Sequence, residues 1–165
     1  MKVISYLKGI PPRNKNNEKE DVLRRFVQGV KKHGDEGHAS IQTSWTPSDV
    51  AVIQGFVHAD SGNSPHLMLR RSVIQNQKAH GKKTCIIDSN LFLYADPANS
   101  QHYLRYSFDG VFPTTGNYFT DTVDPSRWKK ISSNLGIYLK DWRKDGKHIL
   151  ICTQRNGGWS MGGVD

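Results

Sequence analysis

Three apolar runs constrain this chain more than any other feature: VISYL at 3–7, DVAVIQGFV at 49–57, and Thr84 to Ile87 within KTCIIDSN. DVAVIQGFV is nearly continuous rather than alternating, the pattern of a strand buried on both faces. Helical patterns lie between the runs. From Glu18 to Lys32, residues Val22, Phe26 and Val30 recur four apart with Leu23 and Val27 beside them, giving one apolar face. Gly34 is a plausible stop. Ser64 then offers a cap and Pro65 a first turn for a second helix, ending near His80-Gly81. HASIQTSW (38–45) reads as a weaker strand. The alternation predicts an α/β fold, a Rossmann-like three-layer sandwich with a mainly parallel sheet and right-handed crossovers.

The remainder is less regular. Pro97 to Trp128 is aromatic and turn-rich, with a short strand expected over 108–112 around Asp109-Gly110. A short helix is expected from Pro125-Ser126 through Leu135. GIYLKDWRKDGKH then reads as a linker, and Ile149 to Cys152 as a last buried strand feeding QRNGGWSMGG. The expected organisation is a first lobe over 1–135, a linker over 136–147, and the opening of another unit over 148–165. The two cysteines, Cys85 and Cys152, both lie in apolar runs and read as buried thiols of a reducing compartment.

A chain of 165 residues is long enough for a core without staples. No apolar run reaches membrane-spanning length, and MKVISYLKG is too short and polar for a signal peptide. The expectation is a cytoplasmic protein with no membrane partner. The formal charge is +8, with basic pairs such as Arg24-Arg25, Arg70-Arg71 and Lys82-Lys83. Such a field attracts polyanions, whether nucleic acid or nucleotide phosphate, without specifying a sequence.

In open parallel sheets, ligands bind beyond the C-terminal ends of the strands. That rule selects loops at Lys8-Gly9, Gln54-Gly55, Asp88-Ser89-Asn90, Asp109-Gly110 and Gln154 to Trp159. Gly9, Gly55, Ser89 and Asn90 are therefore candidate ligand contacts. His58, Asp60 and Asp88 are candidate catalytic acids or bases, with His66 near them. Two histidines and one aspartate at no recognised spacing do not make a metal site. Arg155, Asn156, Gly157, Gly158 and Trp159 suit a diphosphate: one cation, close backbone amides, and a ring to cover a base or sugar. The loop is not a Walker motif, because no Lys-Ser or Lys-Thr follows its glycines. Arg105 with Tyr103, Tyr106, Phe108 and Phe112 offers a stacking surface for a base, or simply core.

The set VAVIQGFVH, SPHLMLRRSVI, IIDSNLFLYAD, LRYSFDGVFP and ILICTQRNGGWSMGG resembles a group of bacteriophage-encoded, two-lobed (GT-B-like) glycosyltransferase-like proteins. The resemblance implies an acceptor-type first lobe, a nucleotide sugar as donor, no covalent cofactor, and phage DNA or another polyanion as acceptor in the host cytoplasm. It implies that QRNGGWS is the donor loop opening a second lobe. No such lobe follows in this sequence, so the expectation is a lobe inactive alone that binds without catalysis, or a site completed by another lobe or by a second copy of the chain. Two alternatives stand beside it. One is a non-catalytic nucleic-acid-binding module. The other follows from CIIDSNLFLYAD, which is similar to the opening of PIN-type nucleases, where the aspartate (here Asp88) binds a catalytic metal with further acids such as Asp96, Asp109, Asp121 and Asp124.

Overall fold

The computed structural model describes residues 1–12, 18–58, 61–90, 104–111, 124–142 and 144–153. Strand β1 (Lys2–Tyr6) runs into a 3-10 turn (Leu7–Gly9), followed by α1 (Glu18–Lys32) and β2 (Glu36–Ser40). Then come β3 (Val50–Gln54), α2 (Pro65–Ala79), β4 (Lys83–Asn90), β5 (Leu104–Phe108) and α3 (Ser126–Leu135). The sheet order is β2-β1-β3-β4-β5. The pairs β1-β2, β1-β3 and β3-β4 are parallel, and β4-β5 is antiparallel. This is the α/β, Rossmann-like architecture with a mainly parallel sheet that the strand–helix alternation predicts.

The apolar runs explain the layers. Alternate residues of a strand point to opposite faces. Ile4, Tyr6, Ala51, Ile53 and Ile86 pack with Leu69 and Val73 of α2. Their neighbours Val3, Val52, Cys85 and Ile87 pack with Leu23 of α1, against which Val22, Phe26 and Val30 also lie. Each helix thus covers one face, and the three central strands have no solvent side. The α1 layer comes very close to β2. A Cβ built on Gly37 would lie 3.0 Å from the Val27 carbonyl oxygen and 3.2 Å from the Val27 side chain.

Chain direction fixes where a ligand fits. From β1 the chain crosses over α1 to β2 on one side, and from β3 it crosses over α2 to β4 on the other. The order therefore reverses between β1 and β3. Beyond the C-terminal ends of those two strands a doubly wound sheet opens a crevice.

Three expectations change. The strand expected at 108–112 is β5 at 104–108, and it runs antiparallel. Asp109 instead turns the chain in the left-handed region at φ 62°. Its carboxylate accepts the Thr84 amide at 3.0 Å and Lys83 Nζ at 3.0 Å. Second, Tyr106 and Phe108 are exposed while Ser107 is buried, so β5 does not turn its aromatics into the core. Third, Ile149, Leu150 and Ile151 are not a buried strand: they are 92%, 85% and 79% exposed, and no strand is assigned there. An apolar run reads the same whether or not a neighbour exists to pair with it, and none of the described strands pairs with this one.

The same difference separates the two cysteines. Cys85 is buried in β4, and desolvation pushes its thiol up to about 11. Cys152 is exposed. At pH 8 the native chain is expected to react with a thiol reagent at Cys152 alone, with Cys85 reacting only after unfolding. Fast labelling of Cys85 in the native protein is the contrary result. Leu23 is fully buried beneath the sheet, so Leu23→Ala is expected to cost about 2–5 kcal/mol, measured as the shift of a urea unfolding curve.

Candidate functional site

The site starts with an anomaly on α2. Its buried residues are Leu69, Arg70, Val73 and Gln77. Leu69 and Val73 fill the core, whereas Arg70 is a charged residue only 5% exposed. Side chains on a helix lean toward its N-terminus. That lean carries Arg70 back to the C-terminal edge of the sheet. There its Nε donates to the Gly9 carbonyl at 2.5 Å.

Two of the predicted glycines surround this side chain. A Cβ on Gly9 would lie 3.4 Å from Arg70 Cγ. A Cβ on Gly55 would lie 2.7 Å from Nη1. Gly55 also has φ +85°, which L side chains rarely adopt, and its amide donates to the Ile87 carbonyl at 2.7 Å. The sequence suggests that Gly55 lets the chain turn or lets a ligand approach the backbone. Its Cβ space faces the Arg70 guanidinium instead.

Asp88 lies near the C-terminal end of β4, two residues before its last residue Asn90. Its Oδ2 accepts Arg105 Nη2 of β5 at 2.5 Å, with the two side chains 21% and 33% exposed respectively. Asp88 also acts on Arg70 electrostatically. Burial draws the Arg70 guanidinium down to about 10, and Asp88 opposes that shift. Arg70 therefore stays charged at neutral pH. The two guanidiniums outnumber the one carboxylate. Arg127 on α3 adds a further cation near the start of β5, donating to the Leu104 carbonyl at 2.7 Å and lying 5.2 Å from the Tyr106 ring centroid.

The loop after β3 is built by short contacts. His58 meets the Phe56 ring edge-on at 4.9 Å, and its amide donates to Ser61 Oγ at 3.0 Å. Arg71 splits from Arg70 and holds this loop, donating to the Ser61 carbonyl at 2.9 Å and Asn63 Oδ1 at 3.1 Å. Ser64 precedes α2 as expected, yet its hydroxyl makes no cap bond and instead lies 3.2 Å from His66 Nε2. The His66 ring is held below its usual range, first by desolvation and then by Arg70.

The structure thus brings Gly9, Gly55 and Asp88 to one edge, around two arginines. Ser89 and Asn90 continue β4 past Asp88. Asp60, Arg155, Asn156, Gly157, Gly158 and Trp159 lie outside the described residues, as do Tyr103, Phe112, Asp96 and Asp121. Asp109 is corrected: because β5 runs antiparallel, its C-terminal end reaches the opposite edge, beside the start of β4. Asp124 has its two oxygens engaged by the Ser126 amide and hydroxyl at 2.9 and 2.8 Å. Among the described residues no group of three or more His, Cys, Asp or Glu side chains is placed to hold a metal ion.

Arg70 is the central residue that the strand-end rule misses, because the rule looks only at loops. A signal was present: Arg70 falls within the apolar stripe of its own helix, where a solvated arginine does not belong. A cavity of about 250 Å³ lies elsewhere, at the N-terminal edge of the sheet, between the Trp45 and His80 rings and the Asp49–Lys82 pair. Its carboxylate and ammonium already satisfy each other at 2.8 Å.

Compared with known proteins, the chain matches no protein-family model, no curated protein and no solved structure.

Gly55→Ala tests the packing around Arg70. The left-handed backbone alone is expected to cost about 1–2 kcal/mol, and the new methyl must also displace the guanidinium. Urea unfolding measures the loss. Stability equal to the parent would show that Arg70 is not held where described.

Proposed function

We propose that this chain is the acceptor-type lobe of a group-transferring enzyme that uses a nucleotide sugar, and that a polyanionic acceptor such as DNA meets the C-terminal edge of the sheet. One observation carries the reading: Asp88 stands near the C-terminal end of β4, one strand from the switch-point crevice, paired with Arg105 and acting electrostatically on Arg70. The +8 charge fits a polyanion at that edge. The resemblance to two-lobed transferases supplies the donor class.

The chemistry asked of the edge is limited. An acceptor hydroxyl oxygen attacks the anomeric carbon, forming the new C–O bond. The bond from that carbon to the nucleoside diphosphate breaks, and the diphosphate leaves with the electron pair. The hydroxyl proton passes to the Asp88 carboxylate. Arg105 holds Oδ2, while Oδ1 makes no hydrogen bond to a described residue. That oxygen is the natural proton acceptor. General-base contributions of this kind amount to roughly 10²–10⁴ in rate.

The +8 charge also favours a second reading, a nucleic-acid-binding module without catalysis. A transfer assay separates the two. Labelled sugar is followed from a panel of nucleotide sugars into duplex DNA carrying hydroxymethylated bases, with parent and Asp88→Asn chains side by side. The expected result is transfer by the parent and a loss of about 100-fold or more in the variant, with duplex affinity retained. Undiminished transfer by Asp88→Asn removes the assigned base. Salt-sensitive DNA binding without transfer from any donor selects the binding module.

A further inference from the structure

We propose that the Arg70 guanidinium is a recognition subsite for one phosphoryl group of a phosphate-bearing ligand, received in the crevice between the ends of β1 and β3. The proposal rests on reading that edge as the ligand face, and it names the chemistry the edge takes.

The first argument is the unused capacity of a buried cation. A guanidinium has five N–H donors in a fixed fork. Among the described residues, only Nε of Arg70 finds an acceptor, the Gly9 carbonyl. Neither terminal nitrogen hydrogen-bonds a described residue, although the side chain is 95% buried by the 5% exposure of Arg70. Burying a charge is costly unless it is paired. The carboxylate that acts on it, Asp88, makes its ion pair with Arg105 instead. The group therefore retains a positive charge and a fork that no described residue fills, both of which a phosphoryl group satisfies in bidentate fashion.

The second argument is preorganisation. The Nε bond fixes the plane of the fork, and the bare backbones of Gly9 and Gly55 leave it room at 3.4 and 2.7 Å from where their Cβ atoms would stand. Binding then requires little side-chain ordering. The third is the surrounding field. Ser64 makes no side-chain cap bond on α2, and the first turn carries no acidic residue. A helix start left so favours an anion. None of these features is needed merely to fix α2 against the 3-10 turn, since a neutral donor on the Gly9 carbonyl suffices for that.

The phosphoryl group has two possible sources, a nucleoside diphosphate or a DNA backbone. Binding of inorganic phosphate to the full chain is measured by equilibrium dialysis at constant ionic strength, with chloride as the balancing ion. The parent is expected to bind phosphate saturably, one per chain. Arg70→Met is expected to weaken binding at least tenfold, and Arg70→Lys to retain part of it. Asp88→Asn, which removes the competing carboxylate, is expected to bind phosphate several-fold more tightly. Displacement by uridine diphosphate or by a short duplex supports the subsite and identifies which source it serves.

The proposal is overturned by any of three results: no saturable binding by the parent, unchanged binding in folded Arg70→Met, or weaker binding in Asp88→Asn. It is also overturned if neither competitor displaces phosphate. Should Arg70→Met fail to fold, the sign of the Asp88→Asn effect still decides. That variant also separates the two proposals, because it is expected to lose transfer while gaining phosphate affinity. Phosphate binding without transfer by the parent leaves the subsite standing and removes the transferase reading. Transfer without an Arg70-dependent phosphate site does the reverse.

Discussion

Two-sided burial of β1, β3 and β4 is the constraint from which the rest follows. A strand with no solvent face needs a cover on each side, and the alternation of its side chains divides the core in two. Val3, Val52 and Cys85 belong to the α1 layer, and Ile4, Ile53 and Ile86 to the α2 layer. With right-handed crossovers, covers on opposite faces force successive units to grow in opposite directions. The switch point between β1 and β3 is thus a consequence of the hydrophobic pattern. A ligand crevice there requires no further design than the loops that leave those strands.

The sequence makes the central part of this legible and the periphery less so. The bounds of α1 agree with the reading because Val22, Phe26 and Val30 repeat at helical spacing and nothing competes with them. The start of α2 at Pro65 follows from the fixed φ of proline, even though the Ser64 hydroxyl does not cap. Strand β5 is displaced because LRYSFDGVF holds several equally apolar frames. The antiparallel pairing with β4, which selects one of them, is a tertiary fact. Ile149 to Ile151 fail for the same reason in stronger form: their pattern is that of a core strand, but pairing cannot be read from one segment alone.

The candidate site was half legible. Gly9, Gly55 and Asp88 are picked out by the rule that loops after parallel strands face ligands, and they do converge. What the rule cannot supply is the side chain that joins them, because Arg70 reaches the loops from the second turn of a helix. Its presence changes what the glycines mean. Gly55 is held at positive φ with the Arg70 guanidinium against its α-carbon, so the space left by its missing side chain is taken by a cation. The neighbouring Arg71 shows how little the dipeptide itself reveals: it ties down Ser61 and Asn63 on the surface.

The two edges of the sheet differ in electrostatic closure. At the N-terminal edge, the charged groups are largely paired from within, although the buried Ser48 hydroxyl beside the cavity has no hydrogen-bond partner among the described residues. Asp49 accepts the Lys2 amide and Lys82 Nζ, each at 2.8 Å. Asp109 serves Thr84 and Lys83, and the buried Gln77 accepts Trp45 Nε1 at 3.1 Å while donating to the Lys83 carbonyl at 2.9 Å. Acids there meet strand-starting amides and lysines, leaving little demand for a ligand, although the 250 Å³ cavity lies on that side. At the C-terminal edge the balance is reversed: Arg70 and Arg105 share one described carboxylate, Asp88, and the more buried of the two has terminal nitrogens that no described residue fills. A fold that pairs its charged groups at one edge and, at the other, buries a cation whose terminal nitrogens no described residue fills carries its largest unmet charge among the described residues at that second edge.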